Sequence, residues 1–511
     1  MNSRYFILKK DETLLDVMQR EGAFLPAFCG GNGTCGKCRV QFLSDPPVPT
    51  ETEQTFFTKE ELDAGWRMAC QVKNRGEEEL DAEITVEKRM DESSMAAESA
   101  FYGKDGKGAS AKNVRKPDIS CQGTETSEGG RVVAMDIGTT TLAASLVETA
   151  TGQVTKTVTS VNHQRTFGAD VLSRIKASVE GKGEQLRQCI KEDIRSLMDG
   201  LGVSPDTPLV ISGNTTMEHL LLGYSCRTLG VAPYTPVDLS LHPSGNMTIL
   251  PGVSAFVGAD VVSGVIACGM DENRDINLLV DLGTNGEMVL GNCDKMLASS
   301  TAAGPALEGG NISCGMAGIA GAVSSVNIIC GRPHIKTIGG GAPAGLCGSG
   351  VIEIMYELLK EGFIGADGRP EENFLKNGYE IAPSVTFTIG DVREVQLAKA
   401  AIRAGIEVLL REYGTGYEEI SHVYLAGGFG QKVNIRKAAG IGLLPEALVP
   451  KVRAVGNSSL AGAVLFAGNP SLAGRFQTVA ESVKEIVLAQ NPLFQEQYLA
   501  LELEKNMSKD E

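Results

Sequence analysis

Val132-Val-Ala-Met-Asp136-Ile-Gly138-Thr139-Thr140-Thr141 returns 145 positions later as Leu278-Leu-Val-Asp281-Leu-Gly283-Thr284-Asn285-Gly286-Glu287. Each copy is an apolar run, an acidic residue and a Gly-Thr turn that leads into a second apolar run, the pattern of a buried strand hairpin. A single hairpin of this kind is common. Two in matching context predict a duplicated, two-lobed α/β fold whose hairpins face each other. Their backbone N–H groups and threonine hydroxyls would wrap phosphates at Gly138, Thr139, Thr140, Gly283, Thr284 and Asn285, while Asp136 and Asp281 hold Mg²⁺ or its waters. A carboxylate at the end of an apolar strand is costly to bury unless a metal or a donor satisfies it; turn capping is the plainer alternative. Glu287 would position a water or sit as a surface glutamate. A third piece, Val423-Tyr-Leu-Ala-Gly427-Gly428-Phe429-Gly430, ends a strand in paired glycines. Without a Cβ, Gly427 and Gly428 let a nucleotide approach the backbone closely.

Ahead of the duplication stands Cys29-Gly-Gly-Asn-Gly-Thr-Cys35-Gly-Lys-Cys38, completed by Cys70 on another segment. Four thiolates with this spacing suit a [2Fe–2S] cluster, in a ferredoxin variant whose first gap is one residue longer than the plant type. Gly30, Gly31, Gly33 and Gly36 allow the loop to curl its N–H groups toward the sulfurs. Zinc would call for a second C-x2-C knuckle or histidines, and neither pattern occurs. The other eight cysteines (Cys121, Cys189, Cys226, Cys268, Cys293, Cys314, Cys330, Cys347) lack pairing rhythm and read as small buried hydrophobes in a reducing compartment.

The 511 residues carry a formal charge of −16, which argues against a nucleic-acid or anionic membrane surface. With neither a signal peptide nor an apolar run long enough to cross a bilayer, the expected location is cytoplasmic. Residues 1–88 follow the order strand, helix, ligand loop, strand, short acidic helix at Glu51–Ala64, strand at Trp66–Val72 bearing Cys70, and last strand at Leu80–Val86. In this order the stretch resembles a β-grasp ferredoxin with one strand before the helix instead of two, so either the numbered start lies inside a longer gene or a sheet edge is bare. Residues 89–129 are polar and Gly-rich, a linker spanning roughly 35 Å as a coil that leaves the first domain tethered and mobile; a linker docked on the next domain is the plainer alternative. The first lobe is expected over 130–268 and the second, with C-terminal helices, over 269–511.

The trio of motifs at Asp136, Asp281 and Leu425 resembles the phosphate-1, phosphate-2 and adenosine motifs of the sugar kinase, heat-shock chaperone and actin superfamily. Joined to a [2Fe–2S] domain, it is similar to the reductive activases of corrinoid proteins. Gly213-Asn-Thr-Thr-Met-Glu-His219, Ala303-Gly-Pro-Ala-Leu-Glu308, Gly345-Leu-Cys-Gly-Ser-Gly350 and Asp391-Val-Arg-Glu-Val-Gln396-Leu-Ala-Lys399 fit the same family. The resemblance implies ATP with Mg²⁺, one-electron reduction of Co(II) to Co(I) on the corrinoid protein of a methyl-transfer or O-demethylase system, a low-potential electron donor, and a homodimer. It also implies a contact of Lys399 with the adenosine. His219 reads equally as a core histidine, and the tail after Val479 as a possible interface. Two other readings stand beside this one: a small-molecule kinase with a redox-sensing ferredoxin domain, and a nucleotide-dependent chaperone-like protein whose cluster only stabilises its fold.

Overall fold

The computed structural model describes residues 4–76, 80–86, 130–365, 368–427 and 433–503, apart from positions 22, 24, 26 and 28. The linker expected at 89–129, Cys121 within it, and Gly428, Phe429 and Gly430 lie outside the described residues.

The N-terminal unit runs β1 (Arg4–Leu8), α1 (Leu14–Arg20), β2 (Arg39–Phe42), α2 (Glu51–Phe56), α3 (Lys59–Asp63), β3 (Trp66–Met68) and β4 (Leu80–Val86). Thr13 opens α1 with a capping box: its hydroxyl accepts the Asp16 N–H while the Asp16 carboxylate returns to the Thr13 N–H. Leu14, Leu15, Val17 and Met18 are thereby turned into the core. The sheet order is β1-β4-β2-β3, so the single first strand is the edge, antiparallel to β4 from Arg4↔Ile84 to Leu8↔Leu80. Two expectations are corrected. The acidic helix at 51–64 is two helices, because Thr58 begins a second capping box with Glu61. Strand β3 stops at Met68 and leaves Cys70 in a turn, where the Gln71 and Val72 N–H groups both donate to the Met68 carbonyl. Leaving the ladder is what frees Cys70 to face Cys38.

The remainder is the expected two-lobed, actin-like body. Its first part is β5 (Arg131–Ile137), β6 (Thr141–Glu148), β7 (Gln153–Val161), α4 (Val171–Ala177), α5 (Gly183–Leu201), β8 (Leu209–Gly213), α6 (Thr215–Leu222), β9 (His242–Ser244), β10 (Met247–Ile249) and α7 (Ala259–Cys268). Then follow β11 (Ile276–Leu282), β12 (Gly286–Asn292), β13 (Lys295–Thr301), β14 (Ala322–Ile329), β15 (Arg332–Thr337), β16 (Gly345–Leu346), α8 (Gly348–Lys360) and α9 (Glu372–Asn377). The chain ends with β17 (Tyr379–Ala382), β18 (Val385–Phe387), α10 (Ile389–Tyr413), β19 (Ile420–Ala426), α11 (Ile435–Gly440), β20 (Val452–Gly456), α12 (Ser458–Gly468), α13 (Ala473–Ser482), β21 (Val483–Glu485) and α14 (Pro492–Leu503).

The sequence echo is an echo of topology. One sheet runs β7-β6-β5-β8-β10-β9 and the other β20-β19-β11-β12-β13-β21. In both, the first strand of a meander pairs antiparallel with the second and parallel with a strand much later in the chain: β5 with β6 and β8, β11 with β12 and β19. Ile137 lies beside Gly213 in one and Asp281 beside Ala426 in the other, so both Gly213-Asn214 and Gly427 follow the strand that neighbours a phosphate hairpin.

Helices α7 and α12 cross between the sheets. Small residues permit the close approach: a Cβ on Gly264 would crowd Ser458, and one on Gly462 would overlap Ser263. Although it comes late in the chain, α12 packs on β5 and β8 of the first sheet. One face of the tail is used within the fold, where Leu501 with Phe494 and Tyr498 covers Ala400 and Ala404 on α10. The N-terminal unit meets the first lobe through side-chain contacts. Gln19 Nε2 donates to the Thr166 carbonyl at 2.6 Å, and Lys182 Nζ meets the Asp16 carboxylate at 2.9 Å.

Candidate functional site

Two clusters of chemistry emerge. The first is the thiol loop. Gly30, Gly31, Gly33 and Gly36 all have positive φ, between 63° and 89°, so the loop depends on conformations that other residues resist. This curl turns amides toward sulfur: Thr34 and Cys35 N–H groups toward Cys29, Lys37 N–H toward Cys35, and Gly33 N–H toward Cys70. Gln71 Nε2 adds a contact to Cys70 Sγ at 3.6 Å. The thiols meet as two pairs, Cys29 with Cys35 at 3.4 Å and Cys38 with Cys70. In each pair the hydrogen bond drives one thiol down, Cys29 to about 4, and pushes its partner up. Two donor pairs fit a two-iron group, two thiolates to each metal. Backbone ties fix the pairing: Ala69 N–H donates to the Cys38 carbonyl, and buried Glu53 accepts the Met68 N–H at 2.7 Å.

The second cluster lines the cleft between the lobes. Asp136, Gly138, Thr139, Thr140, Asp281, Gly283, Thr284, Asn285, Glu287 and Gly427, all singled out from the sequence, share this one cavity wall. Gly138 N–H closes its turn on the Thr141 carbonyl at 3.1 Å, and Gly283 N–H on that of Asn285 at 3.0 Å. The hairpins touch across the cleft: Thr140 Oγ1 lies 2.7 Å from Thr284 Oγ1, and Thr284 donates to Glu308 at 2.8 Å. Gly427 has φ +102° and stands against the Leu282 carbonyl and the Asp281 carboxylate, where a Cβ would collide.

Sequence reasoning missed Asp260, Asn457 and Ser459. Asp260 is delivered to the cleft by the first turn of α7, next to Gly258, which packs against Asn214 and Thr215. Asn457 and Ser459 open α12. The Asn457 side chain caps the helix by accepting the Leu460 N–H, and its Nδ2 donates to Asp136 at 2.7 Å. Ser459 Oγ donates to the other Asp136 oxygen at 2.7 Å. An Asn-Ser-Ser start before an apolar run is a legible cap; its partner 321 residues away is not.

Among the described residues, five carboxylates, Asp136, Asp260, Asp281, Glu287 and Glu308, therefore face one cavity whose described lining includes a single basic residue, Arg165. Burial, with mutual repulsion, pushes Asp281 up to about 8 and Asp260 up to about 7. Glu287 is held well above the usual carboxylate range by burial and then by Asp260 and Asp281, which removes the surface-glutamate reading. Asp281 and Glu287 sit directly opposite each other in the ladder, where like charges repel. Such an arrangement suits a cation and, at the turn amides, the phosphates that a cation accompanies.

Other singled-out residues have structural roles. His219 is buried, accepts the Val237 N–H at Nε2 and contacts the Thr215 carbonyl through Nδ1; it is a core histidine. Lys399 is buried on α10 and is not among the residues lining the cleft. Gly348 lines the cleft and also packs the start of α8 against the Leu307 carbonyl, while Gly350 packs it against that of Val323. Cys293 and Cys330, expected in the core, are exposed. Among the described residues no helix is long and apolar enough to cross a membrane.

Residues 275–509 match the family model described as the C-terminal, ASKHA domain of RACo, residues 132–273 that of the RACo middle region, and residues 3–75 that of the 2Fe-2S iron–sulfur cluster binding domain. The chain is 33% identical over 411 residues to the corrinoid activation enzyme RamQ of Eubacterium limosum, covering 72% of this chain and 69% of that protein. It is 27% identical over 377 residues to the [Co(II) methylated amine-specific corrinoid protein] reductase of Methanosarcina barkeri, covering 64% and 68% respectively. Among solved structures it is similar to a reductive activator for a corrinoid, iron–sulfur protein, with a TM-score of 0.68, 27% identity, and coverage of 97% of this chain and 96% of that one.

Proposed function

The chain belongs to the family of corrinoid activation enzymes, and from that membership we propose that it restores an inactive Co(II) corrinoid protein to Co(I), coupling a one-electron transfer to ATP and Mg²⁺ in the cleft. Cys29, Cys35, Cys38 and Cys70 would hold the [2Fe–2S] group, which when bound supplies a one-electron carrier of low potential, near about −400 mV for the plant type. Reduction of Co(II) is expected to need a lower potential still, and each ~59 mV is a factor of ten against the transfer. Nucleotide must therefore change the balance. The turn amides at Gly138–Thr140 and Gly283–Asn285 bind phosphates, Asp281 and its carboxylate neighbours hold the cation, and Asp136 keeps α12 attached to the first hairpin. Lobes that close on nucleotide present a different surface to the Co(II) partner, and differential binding of that partner favours reduction.

The observation that carries this reading is the union, in one chain, of a paired-thiol loop with a two-hairpin, carboxylate-rich cleft. It is tested anaerobically by mixing the protein with a Co(II) corrinoid protein from the same cell and a low-potential reductant, then following the Co(I) absorbance band. The band is expected with Mg-ATP and not without it. Phosphorylation of a metabolite with no Co(I) would favour the kinase reading instead.

A further inference from the structure

The seat of the cluster domain rests on the chain segment that shapes the first phosphate loop. Three successive carbonyls of that loop are held from behind: Gly138 O accepts from Asn162 Nδ2 at 2.8 Å, Thr139 O from Arg174 Nη2 at 2.6 Å, and Thr140 O from the Asn162 N–H at 2.9 Å. In a trans peptide the N–H points opposite the carbonyl. Pulling these three carbonyls back therefore turns the following N–H groups, those of Thr139, Thr140 and Thr141, away from that segment, and all three residues line the cleft. Arg174 is itself set by the Gly168 carbonyl at 3.0 Å. Asn162, Gln164, Thr166 and Arg174 are all completely buried, so the segment has little room to move without moving the loop.

The cluster domain presses on this same segment. Gln19, itself buried, donates to the Thr166 carbonyl. Gly30 of the cysteine loop comes so close that a Cβ there would stand 3.1 Å from the Phe167 carbonyl oxygen. Lys182 reaches Asp16 across the same seam. On the opposite wall, Lys37 of the cysteine loop lies within electrostatic reach of Asp391 and Cys314. Asp391 holds the Ser313 N–H and hydroxyl, each at 2.6 Å, in the stretch that follows Glu308. The cluster loop thus packs on the segment that carries Arg165 on one side of the cleft and faces, through the charge of Lys37, the stretch between Glu308 and Ala317 on the other.

We propose that seating of the cluster domain and nucleotide binding between the hairpins are reciprocally coupled: each strengthens the other, so the position of the cluster domain responds to nucleotide. This inference rests on the cleft holding a nucleotide, and by thermodynamic linkage the coupling must be readable from either side. The test uses the full, cluster-loaded chain and titrates a non-hydrolysable Mg-ATP analogue by calorimetry. Lys182→Glu, which sets like charges across the seam, and Gln19→Ala are each expected to weaken nucleotide binding by about threefold to tenfold. Combining Lys182→Glu with Asp16→Lys is expected to restore it. The visible spectrum of each variant checks that the cysteine loop is intact. Amide exchange at Thr166–Gly168 should slow on nucleotide addition in the wild type, and less so in Lys182→Glu. Wild-type affinity in both single variants, a charge swap that fails to restore affinity, or exchange that quickens with nucleotide would overturn the coupling. A wild-type chain that binds no nucleotide would instead overturn the reading of the cleft, and the coupling with it.

Discussion

The two phosphate hairpins share a backbone but not an electrostatic role. In β5–β6, Asp136 faces Ala143 across the ladder and receives two hydrogen bonds from the start of α12. At the equivalent place in β11–β12, Asp281 faces Glu287, and Asp260, Asp136 and Glu308 add their repulsion to the effect of burial. Duplication copied the turn that presents amides to phosphate, and divergence around it divided the labour. The first carboxylate ties the helix that crosses between the lobes. The second forms the pole that a cation would neutralise.

Replacing one carboxylate at a time is the strongest way to break this contrast. Asp281→Asn is expected to lower nucleotide turnover by roughly 10²–10³-fold while leaving the fold and the cluster spectrum intact. Asp136→Ala should instead reduce thermal stability, because two donors at the crossing lose their acceptor. Equal effects on turnover and stability from both variants would erase the distinction. A smaller effect is expected from the donors. Ser459→Ala leaves a buried carboxylate oxygen short of a partner, a loss of about 1–3 kcal/mol visible as a lower melting temperature. Ser300→Ala, whose hydroxyl is 3.4 Å from Glu287, should change melting little.

The gentlest probe is pH. Burial raises Asp260 to about 7 and Asp281 to about 8, so the folded chain favours their protonated forms. The resulting stabilisation is fully present below the ordinary carboxylate pKa of about 4 and is lost as pH rises toward 8. A cation needs the charged forms. Mg-nucleotide affinity should therefore rise between pH 6 and 9, and Asp281→Asn should remove the upper part of that rise. A flat profile in calorimetric titrations across that range would contradict the assignment of the cation pole to the second hairpin.

Local signals made much of the molecule legible. The hairpins were readable because strand, carboxylate and Gly-Thr turn are contiguous, and the cysteine loop because ligand spacing and glycines carry their own geometry. What escaped was anything joined only by folding. Asn457 and Ser459 are ordinary helix-start residues until α12 crosses onto the first sheet, and Asp260 is one acidic residue in an apolar helix until α7 aims it at the cleft. The contact between Gln19 and Thr166 was likewise out of reach, because a polar linker says nothing of the surfaces at its ends. Glu51–Ala64 looked like one acidic helix because charge pattern outweighed the Thr58 cap within it.

The most direct test of the whole account is a rapid-mixing experiment in which the pre-reduced protein meets a Co(II) corrinoid protein while the iron–sulfur and Co(I) absorbance bands are followed together. The account predicts equal amplitudes, one Co(I) formed for each cluster oxidised, and dependence of both changes on Mg-ATP. Co(I) formation at full rate without nucleotide, or with no matching change in the iron–sulfur band, would contradict it.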